Sequence, residues 1–142
     1  MISVAEVDAI AEEAHAGQYR KFGGGPYVEH PRRVAEAVRQ QSGIDTKTVM
    51  VALLHDVLED TDLTAADLLA RHVPSSVVGA VQVLTRGDET YGEYLDRVIL
   101  SGDLRATTVK KADLRDNLRD LPLGNSLRAR YEAALRRMEG TR

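Results

Sequence analysis

Apolar residues recur at helical spacing from the first residues of the chain onward. Val4, Val7 and Ile10 fall on one side of a helix, because positions three or four apart share a face. Ser3 followed by Glu6 is the pattern of a capping box, which marks a helix start. Few stretches alternate apolar and polar residues with the period of two that a half-buried strand requires. The pattern therefore predicts an all-α protein.

Capping and helix-breaking signals divide the rest of the chain into further helices. A glycine-rich loop at Phe22–Pro26 separates the first helix from the second. The predicted starts and spans of the later helices are His30-Pro31, about Asp45 to Asp60, a cap at Thr64, Pro74 onward, and roughly Tyr91–Leu100, Leu104–Leu121 and Ser126–Glu139. The expected architecture is one compact domain over residues 1–142, with about six to eight helices.

The predicted helix at about Asp45 to Asp60 carries the most informative polar residues. It is apolar almost all round, as is typical of a buried central helix, yet it contains four ionisable side chains: His55, Asp56, Glu59 and Asp60. At about 100° per residue, these four share one sector of about 140°. Burying several carboxylates together is unfavourable unless a basic side chain or a metal ion balances them. The alternative is a helix end that reaches solvent, with exposed acids and His55 in the core.

Two other segments contain residues of the same chemical types. His30 stands at a predicted helix start, where an isolated histidine is commonly structural. Asp113, Asn117 and Asp120 fall on one face of a later helix, beside its leucine stripe. That face could be the solvated surface of a charged helix or part of a functional site. The adjacent His55-Asp56 pair becomes a stronger metal motif if such residues supply further ligands.

Composition narrows the function classes. Hydrophobic residues make up 43% of the chain and charged residues 29%, as in an ordinary globular domain. The net charge of −3 argues against a nucleic-acid-binding protein, and the absence of cysteine excludes a thiol nucleophile and zinc sites with cysteine ligands. No apolar run approaches the roughly 18 residues of a membrane span, and the N-terminus lacks a signal-peptide pattern. We expect a cytoplasmic protein that binds neither nucleic acid nor membrane.

Three motifs, in a fixed order, resemble a known family. The combination of His30, His55-Asp56 and Asp113 is similar to that of the HD superfamily of metal-dependent phosphohydrolases. The segments AHAGQYRKFGGGPYVEHP, ALLHDVLEDT and VKKADLRDNL resemble the hydrolase domain of the RelA/SpoT alarmone enzymes, and most of all their small single-domain relatives. The likeness covers roughly Ala14 to Leu121. It implies an HD-type helical domain.

The resemblance implies a metal site. Its ligands fall on His30, His55, Asp56 and Asp113, and family members typically use one Mn²⁺. Two imidazoles and two carboxylates without a thiol also suit a borderline-hard divalent ion on chemical grounds. Fe²⁺ or another divalent ion is therefore the alternative to Mn²⁺.

The resemblance also implies a reaction and a small-molecule nucleotide substrate. The family's catalytic acids fall on Glu59 and Asp60, one acting on the attacking water and the other on the leaving oxygen. Its substrate-binding residues fall on Arg20, Lys21 and Asn117. The implied activity is hydrolysis of the 3′-pyrophosphate of guanosine tetra- or pentaphosphate, giving GDP or GTP and pyrophosphate. The alternatives are an HD-type phosphatase or phosphodiesterase acting on another nucleotide, and a non-catalytic nucleotide sensor.

Some positions depart from the family pattern. The usual Arg-Leu-His after Asp113 reads Leu114-Arg115-Asp116, and Asp120 adds an acid near the expected anionic substrate. These changes bear on the choice of nucleotide and leave the metal ligands intact.

The remaining conspicuous residues are expected to have structural roles. Arg32 and Lys110 are expected in a solvated basic patch, and His15 and His72 in structural or exposed positions. Tyr91 and Tyr94 are expected to pack in the interior. The arginines of the last helix are expected to form a solvated face, and either group could make a homo-oligomer contact: Arg128, Arg130, Arg136 and Arg137.

Overall fold

The computed structural model describes residues 1–140, and its regular secondary structure there consists of helices. Their bounds are α1 Val4–Ala14, α2 Glu29–Arg39, α3 Thr46–Leu54, α4 Val57–Asp60, α5 Ala65–Ala70, α6 Ser75–Leu84, α7 Tyr91–Leu100, α8 Leu104–Asp120 and α9 Ser126–Glu139. A single isolated β-bridge, between Tyr19 and Pro26, closes the glycine-rich loop before α2. The all-α prediction is confirmed.

The helix starts follow from local side-chain hydrogen bonds. Ser3 and Glu6 form the predicted capping box at α1, where each side chain bonds the backbone N–H of the other. Asp45 accepts from the backbone N–H of Thr48 at the start of α3. Both α7 and α9 have the predicted bounds, because their caps lie immediately before the apolar stripe begins.

The prediction of one continuous helix over about Asp45 to Asp60 is wrong. His55 Nδ1 donates a hydrogen bond to the backbone carbonyl of Ala52 at 2.6 Å. In a continuous helix, the backbone N–H of Asp56 would donate to that carbonyl. Asp56 then has φ −101° and ψ −3°, and α4 begins only at Val57. This break divides the predicted helix into α3 and the short α4, so that residues 1–140 contain nine helical segments.

The core is built around α3. Every residue from Thr48 to Leu54 is buried, and α3 packs against α1, α2, α6 and α8. Burial on all sides explains why its sequence is apolar almost all round. The C-terminal end of α3 faces α2 and α8, and the candidate site lies there. Among the helices described, none combines the length and the apolar character that crossing a membrane requires.

Candidate active site

Three segments bring four candidate metal ligands to one point. His30 lies on α2, His55 and Asp56 lie at the junction of α3 and α4, and Asp113 lies on α8. One ligand atom from each residue lies within 4.8 Å of the ligand atoms of the other three. Because α2, α3 and α8 pack against one another, the core itself holds these side chains together.

The hydrogen bonds of the two histidines show that this group fits a cation. His55 Nδ1 donates to the Ala52 carbonyl, and His30 Nδ1 donates to Asp116 Oδ2 at 2.6 Å. In the neutral ring the other nitrogen, Nε2, is then an acceptor. Yet both Nε2 atoms face Asp113 Oδ1, at 2.9 Å from His30 and 3.2 Å from His55. Acceptors that face one another need protons or a cation between them, and a divalent ion carries the same charge as the two extra protons.

The pKa values of the cluster also indicate that it favours a bound cation. Burial disfavours the charged form of His55, but the carboxylates of Asp56 and Asp113 outweigh it and raise the pKa of His55 well above its usual value. Burial also opposes ionisation of Asp113, but Lys110 and His55 overcome it and hold the pKa of Asp113 well below its usual range. The site therefore keeps its carboxylates ionised and attracts positive charge.

Two residues outside the predicted site hold these ligands in place. Asp116 accepts from His30 and is itself held by Arg33, whose Nε and Nη2 donate to its two oxygens at 2.9 and 3.1 Å. The Tyr27 hydroxyl donates to Asp56 Oδ2 at 2.7 Å. A carboxylate on the far nitrogen of a ligating histidine fixes the orientation of the ring. Asp116 had a signal in the sequence, since it is one of the departures from the family pattern, and Tyr27 lies inside the first motif.

Among the basic residues, the prediction for Lys110 is wrong. Lys110 does not lie in a solvated patch: its ammonium group donates to Asp113 Oδ2 at 3.0 Å, and its side chain is only 11% exposed. Lys110 lies three residues before Asp113 on α8, so the two side chains share a face. Arg32, in contrast, pairs with Asp8 and Glu12 on the surface, as a solvated residue would.

Glu59 and Asp60 lie on α4 beside the ligands and line the same cavity of about 240 Å³. Glu59 Oε1 accepts from the backbone N–H of Arg86 at 2.8 Å, and Asp60 Oδ2 accepts a long hydrogen bond from the Tyr27 hydroxyl at 3.4 Å. Partial burial, with the negative charge of Asp56 nearby, raises the pKa of both carboxyl groups, that of Asp60 to about 6. Carboxyl groups with pKa values moved toward neutrality are suited to proton transfer.

The three predicted substrate-binding residues surround a second, adjoining cavity of about 200 Å³. Asn117 lines both cavities, donates to Asp113 Oδ1 at 3.2 Å, and accepts from Arg20 at 3.3 Å. Arg20 is largely buried in this network, whereas Lys21 is exposed and lies over the ring of Phe22. The structure therefore gathers the three residues on one side of the candidate ligands.

Asp120, the additional acid near the expected substrate, lies against the glycine-rich loop. A Cβ atom on Gly23, whose φ is +82°, would come within 2.7 Å of the Asp120 carboxyl carbon. Arg20 and Arg33 each lie 3.5 Å from Asp120 Oδ2 and balance its charge. Asp120 thus helps to fix the loop, and the close approach requires glycine at position 23.

The same cavity is also lined by residues that the sequence predicts only to pack or to face solvent. Tyr94 is buried, as expected, and its hydroxyl donates to the Leu84 carbonyl at 2.8 Å. Tyr91 and Arg130, however, also line the 240 Å³ cavity. They come from α7 and α9, and the sequence carries no motif that links these helices to His55.

The chain is similar to one known protein family and to several curated proteins. Residues 9–137 match the HD domain family. The guanosine-3′,5′-bis(diphosphate) 3′-pyrophosphohydrolases of Vibrio cholerae and Haemophilus influenzae are each 37% identical to this chain over 122 residues, which cover 79% of it. This chain spans only 17% and 18% of the length of those two relatives.

Solved structures show a similar fold over most of the chain. A metazoan orthologue of SpoT, a protein that hydrolyses ppGpp, is 30% identical with a TM-score of 0.78. The alignment covers 97% of this chain and 86% of the orthologue. A protein of Listeria monocytogenes is 29% identical with a TM-score of 0.65, and the alignment covers 84% of each chain.

Proposed function

The chain belongs to the HD domain family, and we propose that it hydrolyses the 3′-pyrophosphate of guanosine tetra- or pentaphosphate, giving GDP or GTP and pyrophosphate. The observation that carries this proposal is the combination of the four-residue cation site and two carboxyl groups in one cavity. The names of the Vibrio and Haemophilus relatives, and the ppGpp hydrolysis described for the metazoan orthologue, support this choice of substrate.

The proposed cofactor is one Mn²⁺, held by His30, His55, Asp56 and Asp113. Two imidazole nitrogens and two carboxylate oxygens suit such a borderline-hard ion. When bound, a divalent ion lowers the pKa of water and polarises a phosphoryl oxygen. His30 and His55 would bind it through Nε2, because the other nitrogen of each ring already donates a hydrogen bond.

The proposed catalytic acids are Glu59 and Asp60. Water attacks the ester phosphorus of the 3′-diphosphate, and the bond from that phosphorus to the ribose 3′-oxygen breaks. One carboxylate takes a proton from the attacking water, and the other carboxyl group gives a proton to the departing 3′-oxygen. The raised pKa values of both groups support this exchange.

Arg20, Lys21 and Asn117 are the proposed contacts to the nucleoside and its 5′-phosphates. The second cavity, next to the candidate ligands, supports this assignment because it is lined by all three. The substrate is strongly anionic and the chain has a net charge of −3, so local positive charge has to attract it. Lys21 is exposed and suited to that role.

The test is product release by the metal-stripped protein, with and without added Mn²⁺. We expect pyrophosphate from guanosine tetraphosphate only with Mn²⁺, and much slower release from the adenosine counterpart. Mn²⁺ binding without release from either nucleotide would contradict the proposed reaction. Equal release from both would contradict guanine selectivity and favour an HD-type phosphohydrolase of broader substrate range.

A further inference from the structure

The 240 Å³ cavity is lined by both acidic and basic side chains. Its acidic side chains are Glu59, Asp60 and the carboxylates among the candidate ligands. Its basic side chains are Arg86, Lys110 and Arg130, and together with Tyr91 they form what we call the basic wall. The two groups touch, because Lys110 donates to Asp113 and the backbone N–H of Arg86 donates to Glu59. A ligand that fills the cavity therefore contacts both the candidate cation site and the basic wall.

Arg86 and Arg130 differ from the other basic side chains around the cavity. Lys110 pairs with Asp113, and Arg97, behind the same wall, pairs with Glu89. Neither Arg86 nor Arg130 forms an ion pair with a carboxylate anywhere in residues 1–140. Two cationic groups without a carboxylate partner thus line a cavity in a chain where most arginines are paired.

Tyr91 contacts both guanidinium groups, and Arg86 Nε also donates a hydrogen bond to the backbone carbonyl of Glu89 at 3.1 Å. The Arg130 guanidinium carbon lies 4.8 Å from the centre of the Tyr91 ring, and that of Arg86 lies 5.7 Å from it. Such contacts order a cation without neutralising its charge. The hydroxyl of Tyr91 is removed from solvent and has no hydrogen-bond partner among the described residues. A buried hydroxyl without a partner is unfavourable, so this wall lacks an acceptor as well as an anion.

A phosphoryl group supplies both. Its oxygens accept hydrogen bonds from guanidinium groups in a bidentate geometry and from a hydroxyl. In the proposed reaction the ester phosphorus of the 3′-diphosphate has to lie at the cation site, and its second phosphorus is one bridging oxygen away. The proposed function puts the nucleoside in the second cavity, beyond Asn117, which leaves the basic wall to contact the terminal phosphoryl group of the 3′-diphosphate.

We propose that Arg86 and Arg130 bind the terminal phosphoryl group of the 3′-diphosphate and thereby make the enzyme selective for 3′-diphosphates over 3′-monophosphates. This inference rests on the proposed function, because it names the part of the same substrate that the basic wall recognises. Arg86 and Arg130 act on the attacked diphosphate and do not transfer a proton.

The experiment compares two nucleotides that differ only in the terminal phosphoryl group. They are guanosine 5′-diphosphate 3′-diphosphate and guanosine 5′-diphosphate 3′-monophosphate. The ratio of their kcat/KM values is measured for the Mn²⁺-loaded wild type, Arg130→Gln and Arg86→Gln. Arg136→Gln is the matched control, since Arg136 is an exposed arginine on the same helix as Arg130 and does not line the cavity. Arg130 is also exposed, so its replacement leaves the core intact.

A second readout does not depend on turnover. Inorganic pyrophosphate and inorganic phosphate are titrated separately into the metal-stripped proteins, and binding is followed by NMR. We expect the wild type and Arg136→Gln to prefer pyrophosphate. In Arg130→Gln we expect pyrophosphate binding, and kcat/KM for the 3′-diphosphate, to fall by about 10- to 100-fold, the effect of losing one charged hydrogen-bond partner. Phosphate binding and the 3′-monophosphate reaction change little.

The outcomes separate this inference from the proposed function. If Arg130→Gln lowers both kcat/KM values equally, or if the wild type binds pyrophosphate and phosphate equally well, the phosphoryl subsite is wrong while alarmone hydrolysis still stands. A different result would leave the subsite standing and show that the proposed function is wrong. In that case the wild type hydrolyses neither nucleotide but prefers pyrophosphate to phosphate, and Arg130→Gln lacks this preference.

Discussion

The two ends of α3 both meet α8 through charged side chains, but they do so in opposite ways. At the start of α3, Asp45 accepts from the Thr48 backbone and pairs with Arg105 at 2.7 Å, in a position where both side chains reach solvent. At the other end, His55 faces Asp113 at 3.2 Å in the buried core. One pair joins a donor to an acceptor, whereas the other joins groups that both accept when the histidine is neutral.

The difference separates what stabilises the fold from what enables chemistry. The exposed pair is complete, and such pairs contribute at most about 1 kcal/mol to the free energy of unfolding. The buried group around Asp113 is complete only with additional positive charge. That requirement supports the proposed cation site, because a buried charge cluster that lacks a partner is unfavourable.

The same substitution at the two ends of α3 should have very different effects. Asp113→Asn removes a candidate metal ligand and leaves Lys110 without its carboxylate. We expect Mn²⁺ binding to be lost and turnover to fall by at least about a thousandfold, since a bound metal ion supplies several kcal/mol to the transition state. Asp45→Asn, the matched control, should keep full activity. Mn²⁺ titration and initial rates measure both, and an active Asp113→Asn protein would refute the assignment of this end.

Substitution of Glu59 should slow turnover without weakening Mn²⁺ binding. Glu59→Gln is expected to slow turnover by about 10²- to 10⁴-fold, the usual range for a lost general acid or base. Mn²⁺ affinity should change little, because Glu59 bonds the backbone N–H of Arg86 rather than a candidate ligand. Rates and Mn²⁺ affinity are measured on the same preparation. A variant with normal turnover would show that Glu59 is not catalytic.

Asp116→Asn tests how the candidate ligand His30 is held in position. Asp116 accepts from His30 Nδ1 at 2.6 Å, and an amide holds the ring less firmly than a carboxylate does. We expect Mn²⁺ affinity to fall by about 10- to 100-fold, as is usual when the partner of a ligating histidine is changed. Activity should return at high Mn²⁺ concentration. Unchanged affinity would mean that the His30–Asp116 bond does not position the ligand.

The smallest effect is expected on stability, from substitution of Asp45 at the exposed start of α3. Asp45→Asn keeps a good helix cap but removes the charge that pairs with Arg105, so the free energy of unfolding should fall by no more than about 1 kcal/mol. The hydrogen bond from Arg105 lowers the pKa of Asp45, so this contribution is present above about pH 4, the ordinary pKa of an aspartate, and is lost as the pH falls further. Urea unfolding at pH 7 and pH 3 measures it. An equal loss at both pH values would contradict this account.

The sequence predicted the parts of the molecule that local rules control. Helices such as α7 and α9 have caps beside apolar stripes, so their bounds could be read directly. The break at His55 could not be predicted from periodicity, because it depends on where the imidazole ring points once α3 is packed against α8.

The same limit applies to the candidate site. His30, His55-Asp56 and Asp113 lie in motifs, so their meeting could be expected. Arg130 lies in a charged helix with no motif, and only the packing of α9 against α8 brings it to the cavity. Lys110 looked like a surface residue because its neighbours are charged, and its burial depends on the tertiary contact with Asp113.

The central claim is that a divalent ion binds at the C-terminal end of α3 through His30, His55, Asp56 and Asp113. Pulsed electron paramagnetic resonance of the protein with Mn²⁺ tests it most directly, because it detects nitrogen atoms bound to the metal. We predict one Mn²⁺ per chain with two imidazole couplings, one of which disappears in His30→Ala and the other in His55→Ala. Tight Mn²⁺ binding without nitrogen coupling, or couplings that survive both substitutions, would contradict the claim.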